Sequence, residues 1–312
     1  MTKVGTAAAL TVPAPAKLNL FLHVNGRRDD GYHLLESLMV LIDLADTVRI
    51  ERRDDGRIEL PDPLPGVAVE ADLAYRAARA LQQHANAREG ATIRVTKRIP
   101  LGAGLGGGSS DAASVLLALN RLWGLELPRA ELMRVALTLG ADVPFFVFGS
   151  NARVTGIGEV LERVTISRTD FLLATTAVGV ATASIFAAPE LVRDTPLSGG
   201  RAFVAGFGRN DLQPVALARN PGIAAAIEAL ERISTVSTPG WPQQRIRMTG
   251  SGSTVFKMGW PDRFDSIDPA DRHARAGPNR RTGAAFHDKP EAIRLIRTRS
   301  LACHPLREFV AK

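Results

Sequence analysis

Residues 97–111 of this 312-residue chain read KRIPLGAGLGGGSSD. Gly102, Gly104, Gly106, Gly107 and Gly108 lack the Cβ atoms that would hold a backbone off a ligand, and Ser109 and Ser110 add hydroxyls. Before this loop lies an extended stretch, ATIRV at 91–95. After it comes DAASVLLALNRL at 111–122, where Val115, Leu116, Leu119 and Leu122 share one helical face. A glycine loop that opens a helix offers free N–H groups and the positive end of the helix dipole, which suits a phosphate. It is not a Walker loop, because no lysine follows its glycines. Gly102, Gly104 and Gly107 do fit GxGxxG, but a dinucleotide site also needs an acidic residue ending a second strand about 20 positions on. Glu126, the nearest candidate, stands between Gly124 and Pro128 in a connection between helices.

Two other places carry reactive groups. Asp142 follows a helix end and a glycine and precedes VPFF, which makes it either a base held rigidly at a cavity edge or a turn or capping aspartate. Lys17 is the lone Lys or Arg between Ala9 and His23, and on a strand it points either to solvent or into a site. Asn19, two residues on, shares its face. Tyr32 and His33 follow a turn glycine as the chain's one Tyr-His pair.

The elements that must position these groups are mixed. Strands are expected at 17–24, 37–41, 46–51 and 91–95, with a turn at 25–31. Helices are expected at 71–84, after the glycine loop, and at 128–139, with Pro128 at the first helical position and Gly140 as the cap. Residues 1–16 read as a disordered lead-in with no signal peptide. Beyond a turn-rich stretch near 150–165, extended runs (171–180) precede a helical start at 182–186 and a helix at 223–233. Without regular βαβ alternation the chain reads as α+β. Its length predicts two domains, 1–155 and 156–312.

Composition narrows the class. Hydrophobic residues make up 45% of the chain with no apolar run near 18 residues, which argues against a membrane span. One cysteine, Cys303, excludes an internal disulfide and suits the cytoplasm. The net charge is +7, and from Pro261 onward nine Arg and two Lys face seven Asp and Glu. These bases are scattered among Asp, Pro and Gly with few aromatics, a solvated tail and not a nucleic-acid face. Residues 259–300 show little apolar periodicity and are expected to be poorly ordered.

Several blocks, in order, carry a family resemblance: PAKLNL (15–20), GYHLLESLMV (31–40), the glycine loop, GADVPFF (140–146), NDLQPV (210–215) and MTGSGSTVF (248–256). Together they resemble the homoserine, galacto-, mevalonate and phosphomevalonate kinase superfamily. GYH and PAKLNL look most like the branch that phosphorylates the 2-hydroxyl of a cytidine diphosphate sugar alcohol, 4-diphosphocytidyl-2-C-methyl-D-erythritol, in non-mevalonate isoprenoid biosynthesis. The resemblance implies a ribosomal-protein-S5-like N-terminal domain, a ferredoxin-like C-terminal domain and a cleft between them, with ATP and nucleotide-borne Mg2+. It implies Asp142 as catalytic base with Lys17 beside it. ATP would contact Lys97, Pro100, Leu101, Gly102, Ala103, Gly104, Leu105, Gly106, Gly107, Gly108, Ser109 and Ser110. Tyr32 and Phe186 would sandwich cytosine, His33 would read its edge, and Asn19 and Thr182 would lie near the same substrate. The second glycine loop, 249–253, would support the first. Asp72 stands where the family commonly has asparagine near the nucleotide base. Another small-molecule kinase of the superfamily, or a nucleotide-binding protein without turnover, remains the alternative.

Overall fold

In this computed structural model the described residues are 8–199, 207–233, 235–236, 246–258, 260–261 and 293–310. The middle of the atypical stretch, 262–292, lies outside them. Two long antiparallel strands, β1 (Ala9–Arg27) and β2 (His33–Arg53), form the backbone of the fold. They begin earlier and run longer than the sequence predicts. Pro13 and Pro15, which read as a loop, sit in a stretch of β1 that among the described residues pairs with β2 alone, so their missing N–H groups break no ladder. On its other edge β2 pairs with β4 (Gly90–Thr96) over residues 47–53 and with β5 (Ala152–Thr155) over 37–39. Short β3 (Ile58–Glu59) adds to β4 in parallel, and β6 (Val160–Arg163) adds to β5. The β5–β6 hairpin thus carries this first sheet past residue 155.

Helices cover one face of that sheet: α1 (Leu73–His84), α2 (Gly107–Leu122), α3 (Arg129–Leu137) and α4 (Val143–Phe148). Asp72 caps α1, its carboxylate accepting from Ala74 N at 2.8 Å, a role that asparagine fills as well. α2 starts within the glycine run and is buried almost all round. α3 begins after Pro128 and closes at Thr138 with 3₁₀-type bonds from Thr138 N to Val135 O and Leu139 N to Ala136 O, so Gly140 is not the cap. The other face meets a second antiparallel sheet in the order β12 (Arg294–Arg299), β7 (Asp170–Thr175), β10 (Val255–Met258), β9 (Arg247–Met248). Helices α5 (Thr182–Phe186), α6 (Gln213–Arg219) and α7 (Gly222–Glu231) complete this half, and β8 (Thr235–Val236) pairs with β11 (Trp260–Pro261). The mixture is α+β, as expected.

The central strands are apolar on both faces because each face meets a core. Met39 and Leu41 join the helices, while Leu38, Val40 and Ile42 join Phe171, Leu173 and Phe256 of the second sheet. In β1 a bulge between Pro15 and Lys17 inverts this alternation. Val12 and Ala14 belong to the helical core, whereas beyond the bulge Ala16, Leu18 and Leu20 belong to the other one. Lys17 and Asn19 are thereby turned toward the helices. After β12 the chain returns to the first half, where His304 N donates to Gly149 O at 2.9 Å and Leu306 and Val310 enter the helical core.

Candidate active site

The bulge delivers Lys17 to the end of α4. Its side chain is 4% exposed, and the ammonium donates to Asn19 Oδ1 at 2.5 Å and lies 3.4 Å from Asp142 Oδ2. Asp142 occupies the N-cap of α4 yet makes no side-chain capping bond, and its side chain stays 34% exposed. That separates it from an ordinary capping aspartate: its carboxylate faces a lysine and open space. Asn19 is held in turn. Its Nδ2 donates to Ser37 Oγ at 2.8 Å, its backbone N to Thr249 Oγ1 at 2.9 Å, and its Oδ1 accepts from Gly250 N at 3.1 Å.

The glycine loop reaches the same point. Lys17 N donates to Leu105 O at 3.0 Å, and Gly102, Gly104 and Gly106 adopt positive φ of 64°, 75° and 70°. The second loop does pack against the first: a Cβ on Gly104 would stand 2.3 Å from Thr249 O, and Thr254 N donates to Ala103 O at 3.2 Å. A Cβ on Gly106 would press Phe146 at 3.0 Å and Lys17 at 3.2 Å. Gly108 differs. It is exposed, and the nearest atom to its Cβ would be Leu73 Cδ1 at 3.5 Å, so packing within the fold leaves room for a side chain there. An anionic ligand at the N-terminus of the 16-residue α2 fits that gap.

Loop entry is fixed by groups the sequence did not single out. Asp46, fully buried, accepts from Ile99 N at 2.8 Å and from Arg98 N, and with Asp111 it brackets the Lys97 ammonium, which lies 2.6 Å from Asp111 Oδ2. Burial, with Asp46 beside it, holds the Asp111 carboxyl well above the usual carboxylate range despite Lys97. Burial alone would depress Lys97, but its two carboxylates outweigh that and raise it. Lys97 borders the cleft with its amine committed inward. Only a contact map reveals this triad, because its members are 14 and 51 residues apart.

These groups surround one cleft of about 640 Å³. It brings together Lys17, Asn19, Tyr32, His33, Lys97, every residue from Pro100 to Ser109, Asp142, Thr182 and Phe186. Ser110 is the exception: fully buried, its hydroxyl donates to Pro15 O at 2.6 Å, covering a carbonyl on the open edge of β1. Of the second loop, Gly250 and Ser251 face the cleft, and Thr182 Oγ1 lies 2.6 Å from Ser251 Oγ. At the far corner Tyr32 is 60% exposed, and the His33 ring lies directly on Phe186 with centroids 4.9 Å apart at 31°. The ring against Phe186 is thus that of His33, the residue expected to read the edge of the base. His33 Nε2 also accepts from Arg193 Nε at 3.1 Å, a residue the motifs did not single out. Burial first, then Arg193 and Arg27, hold the His33 imidazole below its ordinary value. Among the described residues no cluster of three His, Cys, Asp or Glu forms a metal-binding group.

The motif NDLQPV proves to be a clamp. Asn210 Nδ2 donates to Met248 O and Gly250 O, both at 2.8 Å, and Asp211 accepts from Val24 N at 2.9 Å and Thr195 Oγ1 at 2.7 Å. It locks the second glycine loop to β1.

A family model described as GHMP kinases N terminal domain matches residues 72–150. A 4-diphosphocytidyl-2-C-methyl-D-erythritol kinase from Thiobacillus denitrificans is 49% identical over 298 residues, 96% of this chain and 98% of that protein. One from Bordetella pertussis is 47% identical over 305 residues, again 96% and 98%. Among solved structures, a 4-(cytidine 5'-diphospho)-2C-methyl-D-erythritol kinase matches with a TM-score of 0.67 and 33% identity, covering 80% of this chain and 90% of that one. Homoserine kinase from Cytophaga hutchinsonii shares the fold, with a TM-score of 0.63 and 16% identity over 84% and 88% of the two chains.

Proposed function

The chain belongs to the 4-diphosphocytidyl-2-C-methyl-D-erythritol kinase family, and from that premise we propose how its residues carry out ATP-dependent phosphorylation of this substrate. The supporting observation is that the Lys17–Asp142 pair borders the same cleft as a glycine-loop helix N-terminus. Asp142 accepts the proton of the substrate's 2-hydroxyl as that oxygen bonds to the γ-phosphorus and the bond to the β-phosphate oxygen breaks, giving the 2-phosphate and ADP. Lys17, anchored by Asn19, stabilises negative charge on the attacking oxygen. The loop from Gly102 to Ser109 holds the ATP phosphates through backbone N–H groups. Ser109 is the loop hydroxyl lining the cleft and would help hold a nucleotide-borne Mg2+, which would neutralise phosphate charge.

At the other corner Tyr32, His33 and Phe186 take the cytosine, with Thr182 and Asn19 toward the sugar alcohol. The proposed compartment is the cytoplasm, in keeping with Cys303 as a free thiol. The test is ADP release with the cytidylated substrate, homoserine and mevalonate in parallel. Release driven by the cytidylated compound supports the reading, and release driven by either of the others refutes it.

A further inference from the structure

Arg193 lies beyond α5 and makes four directed contacts. Its Nε donates to His33 Nε2 at 3.1 Å, and its Nη groups donate to the carbonyls of Leu191 at 2.9 Å, Phe186 at 3.1 Å and Ala188 at 2.6 Å. An arginine Nε–H is a donor at every pH a folded protein meets, so the ring nitrogen opposite it presents a lone pair. The neutral imidazole therefore carries its proton on Nδ1. The same guanidinium holds the backbone of Phe186, whose ring is the wall on which His33 lies. One side chain thus sets both the wall and the hydrogen-bonding sense of the edge beside it.

We propose that Arg193 is a positioning residue for base selection, fixing His33 as an Nδ1–H donor that suits a pyrimidine with an acceptor at N3, as in cytosine, and opposes one with N3–H, as in uracil. This rests on the reading that Tyr32, His33 and Phe186 form the base pocket. The discrimination is physical: a donor set against N3–H leaves two polar hydrogens without acceptors in a partly desolvated corner, and unmade bonds cost more than made bonds return. Arg27 and Arg193 are the charged groups acting on the ring, and both keep it from becoming a cation.

Two measurements on the full-length protein decide the matter. In the 15N-labelled enzyme, His33 is assigned among the six histidines by the resonances lost in His33→Gln. A neutral ring protonated at Nδ1 is expected, and one protonated at Nε2 overturns the proposal without need of an arginine variant. In Arg193→Met, kcat/KM for the cytidylated substrate should fall roughly tenfold, carried by KM. Preference over the uridylated analogue should fall by a similar factor, with KM for ATP unchanged. Undiminished preference overturns the proposal. Wild-type enzyme inert toward the cytidylated substrate removes the base-pocket reading and the proposal with it. Cytidylated turnover with an Nε2–H imidazole leaves that reading standing and removes Arg193 alone.

Discussion

At the scale of single residues, the site consists of pairs whose members lie far apart in sequence. Lys17 and Asp142 face each other because a bulge turns one strand residue inward and a short helix presents an uncapped aspartate. If Lys17 acts through Asp142, Lys17→Ala should lower kcat by about 10²–10⁴. The Lys17→Ala/Asp142→Asn double variant should then lose little more than either single one, as steady-state rates would show. Phe186→Ala should weaken the cytidylated substrate by about 1–3 kcal/mol, the worth of a base–aromatic stack, and leave ATP binding intact. Calorimetric titration with each ligand distinguishes this from an ordinary core aromatic, which would lose neither. Residues inside contiguous motifs were legible in the sequence. Asp46, Asp111 and Arg193 were not, because each acts by holding another side chain or a stretch of backbone, and nothing in local spacing marks such a partner. Ser110 shows the converse: it lies in the motif, but the helix turns its hydroxyl to a backbone carbonyl of β1, which no motif foretells.

At the scale of elements, the glycine loop combines two functions that a motif cannot separate. Gly104 and Gly106 have positive φ and no room for a Cβ, so alanine at either should cost stability whether or not ATP binds there. Gly106 is therefore a poor probe of phosphate binding. Gly108 is a clean one, lying in α2 with nothing nearer to its Cβ than 3.5 Å. Gly108→Ala should raise stability by about 0.5–1 kcal/mol through helix propensity while weakening ATP. Thermal unfolding without ligand, set beside nucleotide titration, checks both signs. The loop's entry should depend on Asp46, where alanine leaves Lys97 without one carboxylate and two backbone N–H groups without an acceptor. A cost of about 3–5 kcal/mol is expected by denaturant unfolding. α1, α2 and α3 were legible as long runs of helix formers, whereas short α4 and α6, each with a proline in its first turn, were not read as helices. β1 was cut short because Pro13 and Pro15 read as breakers, and the free edge of β1 at these two residues makes them tolerable; β2 was read as two pieces across residues 42–45.

At the scale of the molecule, β1 and β2 belong to both cores, and the last described residues return to pack on the helices. Lys17 on β1 and His33 on β2 are thus spaced by a single pair of strands. His304 pins the returning segment: its Nδ1 accepts from Leu306 N at 3.1 Å, and burial, with Arg129 nearby, pushes its imidazole down to about 3. The unfolded chain binds that proton near pH 6.5 and the folded one does not, so His304 favours folding above that pH and its contribution falls as pH drops toward 3. His23, also depressed by burial, acts in the same sense. His304→Asn should lower stability by about 1–3 kcal/mol near neutrality through lost packing and flatten the acid slope between pH 6.5 and 4, as unfolding at a series of pH values would record. The central claim, that this cleft transfers phosphate through Asp142, is tested most directly by Asp142→Asn assayed with ATP and 4-diphosphocytidyl-2-C-methyl-D-erythritol. We expect unchanged affinity for both ligands and a kcat reduced about 10²–10⁴-fold. Undiminished turnover in that variant would contradict the account.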